Sequence, residues 1–262
     1  MIGIIFSTED AASSNIANSI IEKSSFAAYG NAKWKKGEIE VVQLRTPLLS
    51  AEQLNYSGYE ILYMLSKHSS AAGIPAFTTH STGNWLDEAK LGGMPRQLSF
   101  AAPLQMLSVL RKMSGISSSI GATYEATHHG PLLRIPSLFV ELGGNENIVN
   151  DKALAEKLGD AIISSINVLK DGLLDYSCVA IGIGGTHYPS KFTRLALEKG
   201  YAFSHIMPKY AVDGGLSILD QAMERSAIKP EKAVIEWKSI NAVARENVIV
   251  KLNELGIDYE KI

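Results

Sequence analysis

Short apolar runs alternate with helical periodicities from one end of this sequence to the other. That alternation limits the class of fold before any motif is considered. Residues 2–6 read as a buried strand, brief and rich in isoleucine; after Ser7-Thr8-Glu9-Asp10, the apolar positions Ile16, Ile20 and Ile21 suit a helix. Further strands are expected at residues 40–44, 60–65, 74–78, 137–142, 177–183 and 233–237. Pro103 opens a helix whose face of Met106, Leu107, Leu110 and Met113 reads as core packing. From Asp151, the stripe Leu154, Leu158, Ile162, Ile166 and Leu169 marks another, and helices follow near residues 191–199, 216–225 and 243–255. Such alternation implies mainly parallel pairing with helices covering the sheet. The expected fold is α/β, a three-layer α/β/α arrangement around a mainly parallel or mixed sheet. No linker rich in Pro, Gly or Ser and no repeat divides the 262 residues, so they are read as one α/β domain, with room for an insertion around residues 85–135.

Composition narrows the function classes. With 46% hydrophobic and 20% charged residues, the chain is an ordinary globular protein, neither disordered nor fibrous. Its longest apolar runs fall far short of the roughly 20 residues of a spanning helix, and its start lacks the basic flank and long apolar segment of a secretory signal. The one cysteine, Cys178, can form no internal disulfide and, without C-x-x-C pairs, no thiolate zinc site; a reducing compartment, the cytoplasm, is expected. Against 27 Asp+Glu, 25 Lys+Arg give a net charge of -2, so broad affinity for nucleic acid is not expected and any polyanion must meet a local patch. Basic residues do group at Lys33, Lys35 and Lys36, at Arg111 and Lys112, and at Lys191 and Arg194.

Histidines carry the sharpest chemical signal. His68, His80, His128, His129 and His187 sit beside glycine, threonine or serine, off the apolar stripes and near expected strand ends. In parallel α/β sheets, ligands gather where loops converge at the carboxyl ends of strands. The adjacent His128 and His129 would point to opposite sides of an extended chain and so take different tasks. Two carboxylates stand out. Glu125 lies just before the histidine pair, and Glu141 interrupts an apolar strand, where an unpaired charge is costly.

Gly182-Ile183-Gly184-Gly185-Thr186-His187 turns out of a strand and offers backbone N–H groups to a phosphate or an oxyanion. It is not a dinucleotide fingerprint, since glycine would be needed where His187 stands. The sequence contains no P-loop, no G-x-S-x-G and no H-E-x-x-H. A metal site would therefore be assembled from separated loops, with neutral imidazoles and a carboxylate as donors. Lys191, at a helix start, does nothing for the helix dipole, which suggests an anion as its partner.

In order and spacing, Ser66-Lys67-His68-Ser69-Ser70, Thr79-His80-Ser81-Thr82-Gly83-Asn84-Trp85, Glu125-Ala126-Thr127-His128-His129-Gly130-Pro131, Phe139-Val140-Glu141-Leu142-Gly143, Gly184-Gly185-Thr186-His187-Tyr188 and His205-Ile206-Met207-Pro208-Lys209-Tyr210 resemble the archaeal-type D-aminoacyl-tRNA deacylases. The likeness spans roughly residues 60–210. It departs at Gly144, where a small hydroxyl residue is expected after Glu-Leu-Gly, and residues 33–40 carry no matching motif.

The resemblance implies a fold related to peptidyl-tRNA hydrolase and a zinc enzyme that hydrolyses the ester of D-aminoacyl-tRNA. Carried onto this sequence, metal ligation falls to a subset of His80, His128, His129 and His187. His128, His129 and Glu141 are the expected catalytic residues, Glu141 as general base or orienting group. Substrate and tRNA contacts are assigned to His68, to the amides of Gly184 and Gly185, and to Lys191, Arg194 and Lys209. A monomer acting on the acceptor end of tRNA is expected, with no membrane association and no obligate protein partner. Two other readings remain: a metal-dependent peptidase or amidase, and a non-enzymatic RNA-binding module.

Overall fold

The computed structural model describes residues 1–68 and 73–262; Ser69 and Ser70 of the first histidine motif lie outside the described residues. In chain order, the first half supplies β1 (Ile2–Ser7), α1 (Ala11–Lys23), β2 (Ala27–Ala28), β3 (Lys33–Lys36), β4 (Ile39–Leu44), β5 (Ile61–His68), β6 (Ala76–His80), β7 (Gly83–Asn84), β8 (Gln97–Leu98), α2 (Pro103–Met113) and β9 (Gly121–Tyr124). The second half supplies β10 (Ser137–Gly143), α3 (Glu146–Val149), α4 (Lys152–Lys170), β11 (Cys178–Ile183), α5 (Ser190–Lys199), β12 (Tyr201–Met207), α6 (Val212–Gly215), α7 (Leu219–Glu224), β13 (Lys232–Ile235), α8 (Ala242–Glu254) and β14 (Asp258–Lys261).

These strands build an eight-stranded mixed sheet, in the order β2-β3-β4-β1-β5-β10-β6-β9, and a four-stranded sheet, in the order β12-β11-β13-β14. In the large sheet β4, β1, β5 and β10 run parallel, β6 pairs antiparallel to β10, and β9 runs parallel to β6. Every pairing of the small sheet is parallel. A mixed sheet flanked by helices is the α/β class that the alternation implied; the second sheet, formed beyond residue 177, is what the alternation did not distinguish. Pairing partners are chosen by long-range packing, which local periodicity does not encode.

One apolar core joins the two sheets. Phe6, Val41 and Tyr63 of the large sheet share a continuous cluster with Val179, Phe203 and Ile206 of the small one. Helix α2 packs between them, with Met106, Leu107, Leu110 and Met113 fully buried, as its spacing predicts. Each such side chain stabilises the fold by about 1.5–3 kcal/mol. Asp10 caps α1, accepting from the Ser13 amide at 3.0 Å, and its other oxygen accepts from the Lys67 amide at 2.7 Å. That second bond ties the start of α1 to the end of β5.

Strands β5 and β6 run further than the apolar runs suggest, to His68 and His80. Register explains the extension: Gly143 pairs with His68 and Phe139 with His80, so polar residues are held in the ladder by β10 between them. The helix expected over residues 216–225 breaks into a 3-10 turn, Leu216–Ile218, and the shorter α7. Strand β12 carries Ser204 and His205 inside an apolar run, which masks its period.

Candidate active site

Three strand ends and one connecting segment bring the functional side chains together. β5 delivers His68, β6 delivers His80, and β10 presents Glu141 between them in register with Ser66 and Thr78. After β9 the chain crosses from the large sheet to the small one: the Glu125 amide donates to Thr79 O, the Ala126 amide to His187 O, and the Thr127 amide to Ile206 O. Glu125 and His128 are thereby fixed against His187 of the β11–α5 turn.

His128 and His129 do not straddle an extended chain. His129 has φ +42°, and this left-handed residue turns both rings toward His80, with centroids 4.4 Å and 4.9 Å from the His80 ring. Two contacts hold that conformation. The Gly83 amide donates to His129 O at 2.8 Å, and Gly130 lies so close to the Gly92-Gly93 turn that a Cβ there would stand 2.2 Å from Gly93 N. The expected division of the pair onto opposite faces is therefore corrected: both imidazoles face one cluster.

Hydrogen bonding sets the tautomers. His80 Nδ1 donates to Ser81 O at 3.1 Å, His128 Nδ1 to Ala126 O at 2.8 Å, and His129 Nδ1 to Gly130 O. A carbonyl can only accept, so each ring when neutral keeps its Nε2 lone pair free, although for His80, against burial, the nearby Glu141 carboxylate favours the charged form. One ligating nitrogen from each of the three lies within 4.8 Å of the others, and Glu125, His128 and His187 form a second such group. His80 Nε2 is buried without a hydrogen bond, 3.7 Å from Glu141 Oε2. Imidazoles fixed through Nδ1, a buried Nε2 without a hydrogen bond and adjacent carboxylates match the donor set and outer contacts of a nitrogen- and oxygen-ligated divalent metal.

Charge is distributed unevenly across this cluster. Burial pushes the pKa of His128 well down, reinforced by the neighbouring His80 and His129 rings, and pushes His129 down to about 4. Both rings are therefore neutral near pH 7. His68 is different: burial opposes its charge, but Nδ1 stands 3.0 Å from Glu125 Oε1 and 3.6 Å from Glu141 Oε2, and these carboxylates lift it to about 10. Burial raises the pKa of Glu125, yet His187, donating to Oε2 at 2.9 Å, and His68 hold it well below the usual carboxylate range. Glu141, only 4% exposed, is likewise held low against burial by His68 and His80, and accepts from Thr78 Oγ1 at 3.1 Å.

The D-aminoacyl-tRNA deacylase family model matches residues 56–260. The D-aminoacyl-tRNA deacylase of Pyrococcus horikoshii is 36% identical, with 98% of this chain and 99% of the relative covered. The chain belongs to this family. The deacylase of Methanocaldococcus jannaschii is 31% identical over 99% of this chain and 98% of its own length. The crystal structure of a conserved protein of unknown function superposes with a TM-score of 0.88 at 27% identity, covering 100% of this chain and 95% of that one.

In this member of the deacylase family, His68, His80, His128, His129, His187 and Glu141 all meet at one site. The glycine turn does not serve as expected. The Gly184 amide already donates to Met207 O and the Gly185 amide to Ser239 Oγ, both at 2.8 Å, so neither is free for an oxyanion. Lys191 also has a protein partner, Glu236 Oε1 at 3.5 Å, while Arg194 and Lys209 are exposed. Glu125 stands out in the sequence, and its position three residues before His128 is the signal that ties it to the cluster; Leu91, in a polar loop, carries no such signal. Two cavities, of about 420 and 500 Å³, open beside the imidazoles, and His128, His129 and Leu91 wall both.

Proposed function

We propose that this chain hydrolyses the ester joining a D-amino acid to the terminal ribose of tRNA, and that zinc bound by the imidazoles assists. The observation that carries the reading is the meeting of five histidines and two buried carboxylates in one cluster, of which His128 and His129 wall both cavities, in a chain whose relatives are named for this activity. An aminoacyl ester is already activated and needs a placed water, a proton acceptor and a stabiliser of the tetrahedral oxyanion. His80, His128 and His129 would hold the metal, with His187 and Glu125, hydrogen-bonded to each other, beside it as outer contacts; His187 Nε2 could join as a ligand only on losing its proton. When bound, zinc supplies an acidic water and polarises the ester carbonyl.

The remaining tasks fall to this chain's own atoms. Glu141 Oε2, kept ionised by its neighbours and oriented by Thr78, takes the proton of the attacking water. His68 holds Glu125 and Glu141 apart as a fixed cation rather than acting as a base. Glu125 Oε2 fixes the His187 ring through Nε2. Arg194 and Lys209 meet acceptor-stem phosphates, giving salt-sensitive binding despite the net charge of -2.

No helix among the described residues is long and apolar enough to cross a membrane. The substrate arises where tRNA is charged, which assigns the reaction to the cytoplasm, and the chain acts as a monomer on the acceptor end. The test is release of tyrosine from D-tyrosyl-tRNA and L-tyrosyl-tRNA before chelation, after it, and with zinc restored. Selective loss and zinc-dependent recovery of D-ester cleavage is expected. Turnover of peptides without RNA, or of neither ester, would overturn the reading.

A further inference from the structure

The two cavities differ in lining although they share a wall. The smaller reaches over the large sheet, between the Pro47-Leu48-Leu49 turn and the end of β5; Glu9, Asp10 and Glu141 line it together with Lys67 and His68, the latter paired with Glu141. The larger lies toward the small sheet, where Trp85, Pro208 and Tyr210 supply aromatic and apolar surface, and Glu88 and Lys90 neutralise one another. Tyr210 is 61% exposed, its hydroxyl 3.4 Å from His187 Nδ1, and the exposed Lys209 precedes it on the same segment.

An aminoacyl-tRNA presents different chemistry on the two sides of its ester. One side carries an α-ammonium and a side chain; the other carries a base that stacks and a phosphodiester that needs a cation. Carboxylates with an apolar turn suit the first, and an exposed aromatic ring next to a lysine suits the second. Each volume lies within the range of pockets for a ligand of that size. The shared imidazole wall then falls at the ester itself.

Resting on the hydrolysis reading above, we propose that the two cavities are the two halves of one substrate site. The cavity under Pro47-Leu48-Leu49 takes the D-aminoacyl group, its ammonium facing Asp10 and Glu9. The cavity beside Trp85 takes the terminal nucleoside, stacked on Tyr210. Leu91, which walls both, covers the scissile bond. Its carbonyl accepts from the Gly130 amide at 2.9 Å, so its backbone is tied to the histidine loop.

Two variants at exposed positions separate the halves: Leu49→Trp, with Leu49→Phe as the milder substitute should the larger ring disturb the turn, and Tyr210→Ala. The zinc-loaded protein is assayed on D-tyrosyl-tRNA and D-alanyl-tRNA. Leu49→Trp is expected to lower the ratio of kcat/KM for the tyrosyl over the alanyl ester about tenfold, because only the larger side chain meets the added ring. Tyr210→Ala is expected to raise KM about tenfold for both esters and leave their ratio in place, as loss of one stacked base would. A ratio unmoved by Leu49→Trp and Leu49→Phe, or moved by Tyr210→Ala, overturns the assignment. Binding is read separately from turnover, by calorimetry with adenosine monophosphate and with D-tyrosinamide. A wild-type protein that binds both without cleaving either ester would refute hydrolysis and leave the two halves standing. Adenosine monophosphate binding that is weakened by Leu49→Trp and not by Tyr210→Ala would refute the halves alone.

Discussion

Two buried histidines from different sheets, His80 at the end of β6 and His205 on β12, come together at Ser81, and their hydrogen bonding separates them. His205 on β12 is fully buried, its Nε2 donating to Arg225 O at 3.0 Å and its Nδ1 3.1 Å from Ser81 Oγ and 3.3 Å from Thr127 Oγ1. The ring spends both nitrogens on protein partners. His80, next to Ser81, spends one and leaves Nε2 without a hydrogen bond, 3.7 Å from the Glu141 carboxylate. Burial alone therefore does not mark a functional histidine; an unspent buried nitrogen does, because leaving it unpaired costs about 1–3 kcal/mol that a structural role does not return.

The largest effects should fall on the unspent group. His128→Ala is expected to cut kcat/KM for D-tyrosyl-tRNA about a thousandfold or more, with the melting temperature within a few degrees of the parent. His205→Ala is expected to do the reverse, breaking the ring's bonds to Arg225 O and Ser81 Oγ, opening a cavity and costing about 1–3 kcal/mol of stability, with a smaller change in rate. Steady-state kinetics paired with thermal unfolding decides. An active, unstable His128→Ala would dissolve the distinction.

Glu141→Gln comes next. The amide keeps the size of the side chain and a carbonyl that can accept from Thr78, but it cannot take a proton and no longer balances His68. A loss of several hundredfold in kcat with KM little changed is expected. If KM rose and kcat held, Glu141 would bind substrate rather than move a proton.

Strands β1, β4, β5, β6, β10, β11 and β13, the helix faces of α2 and α4 and the gathering of histidines near strand ends were legible in the sequence, whereas β3, β9, β12 and β14 were not. Each legible feature is carried by local period or by residue type. What local pattern could not carry was long-range. The left-handed His129 depends on Gly130 packing against Gly92 and Gly93 nearly forty residues upstream in the chain. Occupation of the Gly184 and Gly185 amides depends on Met207 and Ser239. The pairing of Lys191 with Glu236 likewise follows from β13 lying beside β11. A glycine turn after a strand offers free amides only when nothing in the tertiary fold claims them.

Acid sharpens the same comparison through stability. His205 is pushed down to about 4, chiefly by burial, from 6.5 in the unfolded chain. Below pH 6.5 the unfolded state gains a proton that the folded state refuses, so stability falls as pH drops toward 4. This group alone contributes a loss of roughly 3 kcal/mol between pH 7 and pH 4. His68 runs the other way: lifted to about 10, it adds stability that is complete below 6.5 and lost as pH rises through 10. Urea titrations across pH 4–7 are expected to show a shallower acid slope for His205→Gln than for the parent. An unchanged slope would mean that the ring is charged inside the fold.

The smallest effect tests whether the contrast between spent and unspent groups extends to the surface cations. Lys191 is held by Glu236, whereas Lys209 is exposed beside Tyr210 at the mouth of the nucleoside cavity. A phosphate can recruit Lys209 without breaking an ion pair, but would have to draw Lys191 away from a carboxylate. Lys209→Ala is therefore expected to raise KM for D-aminoacyl-tRNA about threefold and to reduce the slope of log KM against log salt by about 0.7–0.9, the value of one phosphate contact. Lys191→Ala should leave that slope nearly unaltered. Deacylation measured from 50 to 300 mM salt resolves the two, since the parent and the Lys209→Ala protein converge as salt rises. Equal slopes for both variants would mean that the Glu236 pair opens when RNA binds, and that pairing in the free protein does not predict which cations the substrate uses.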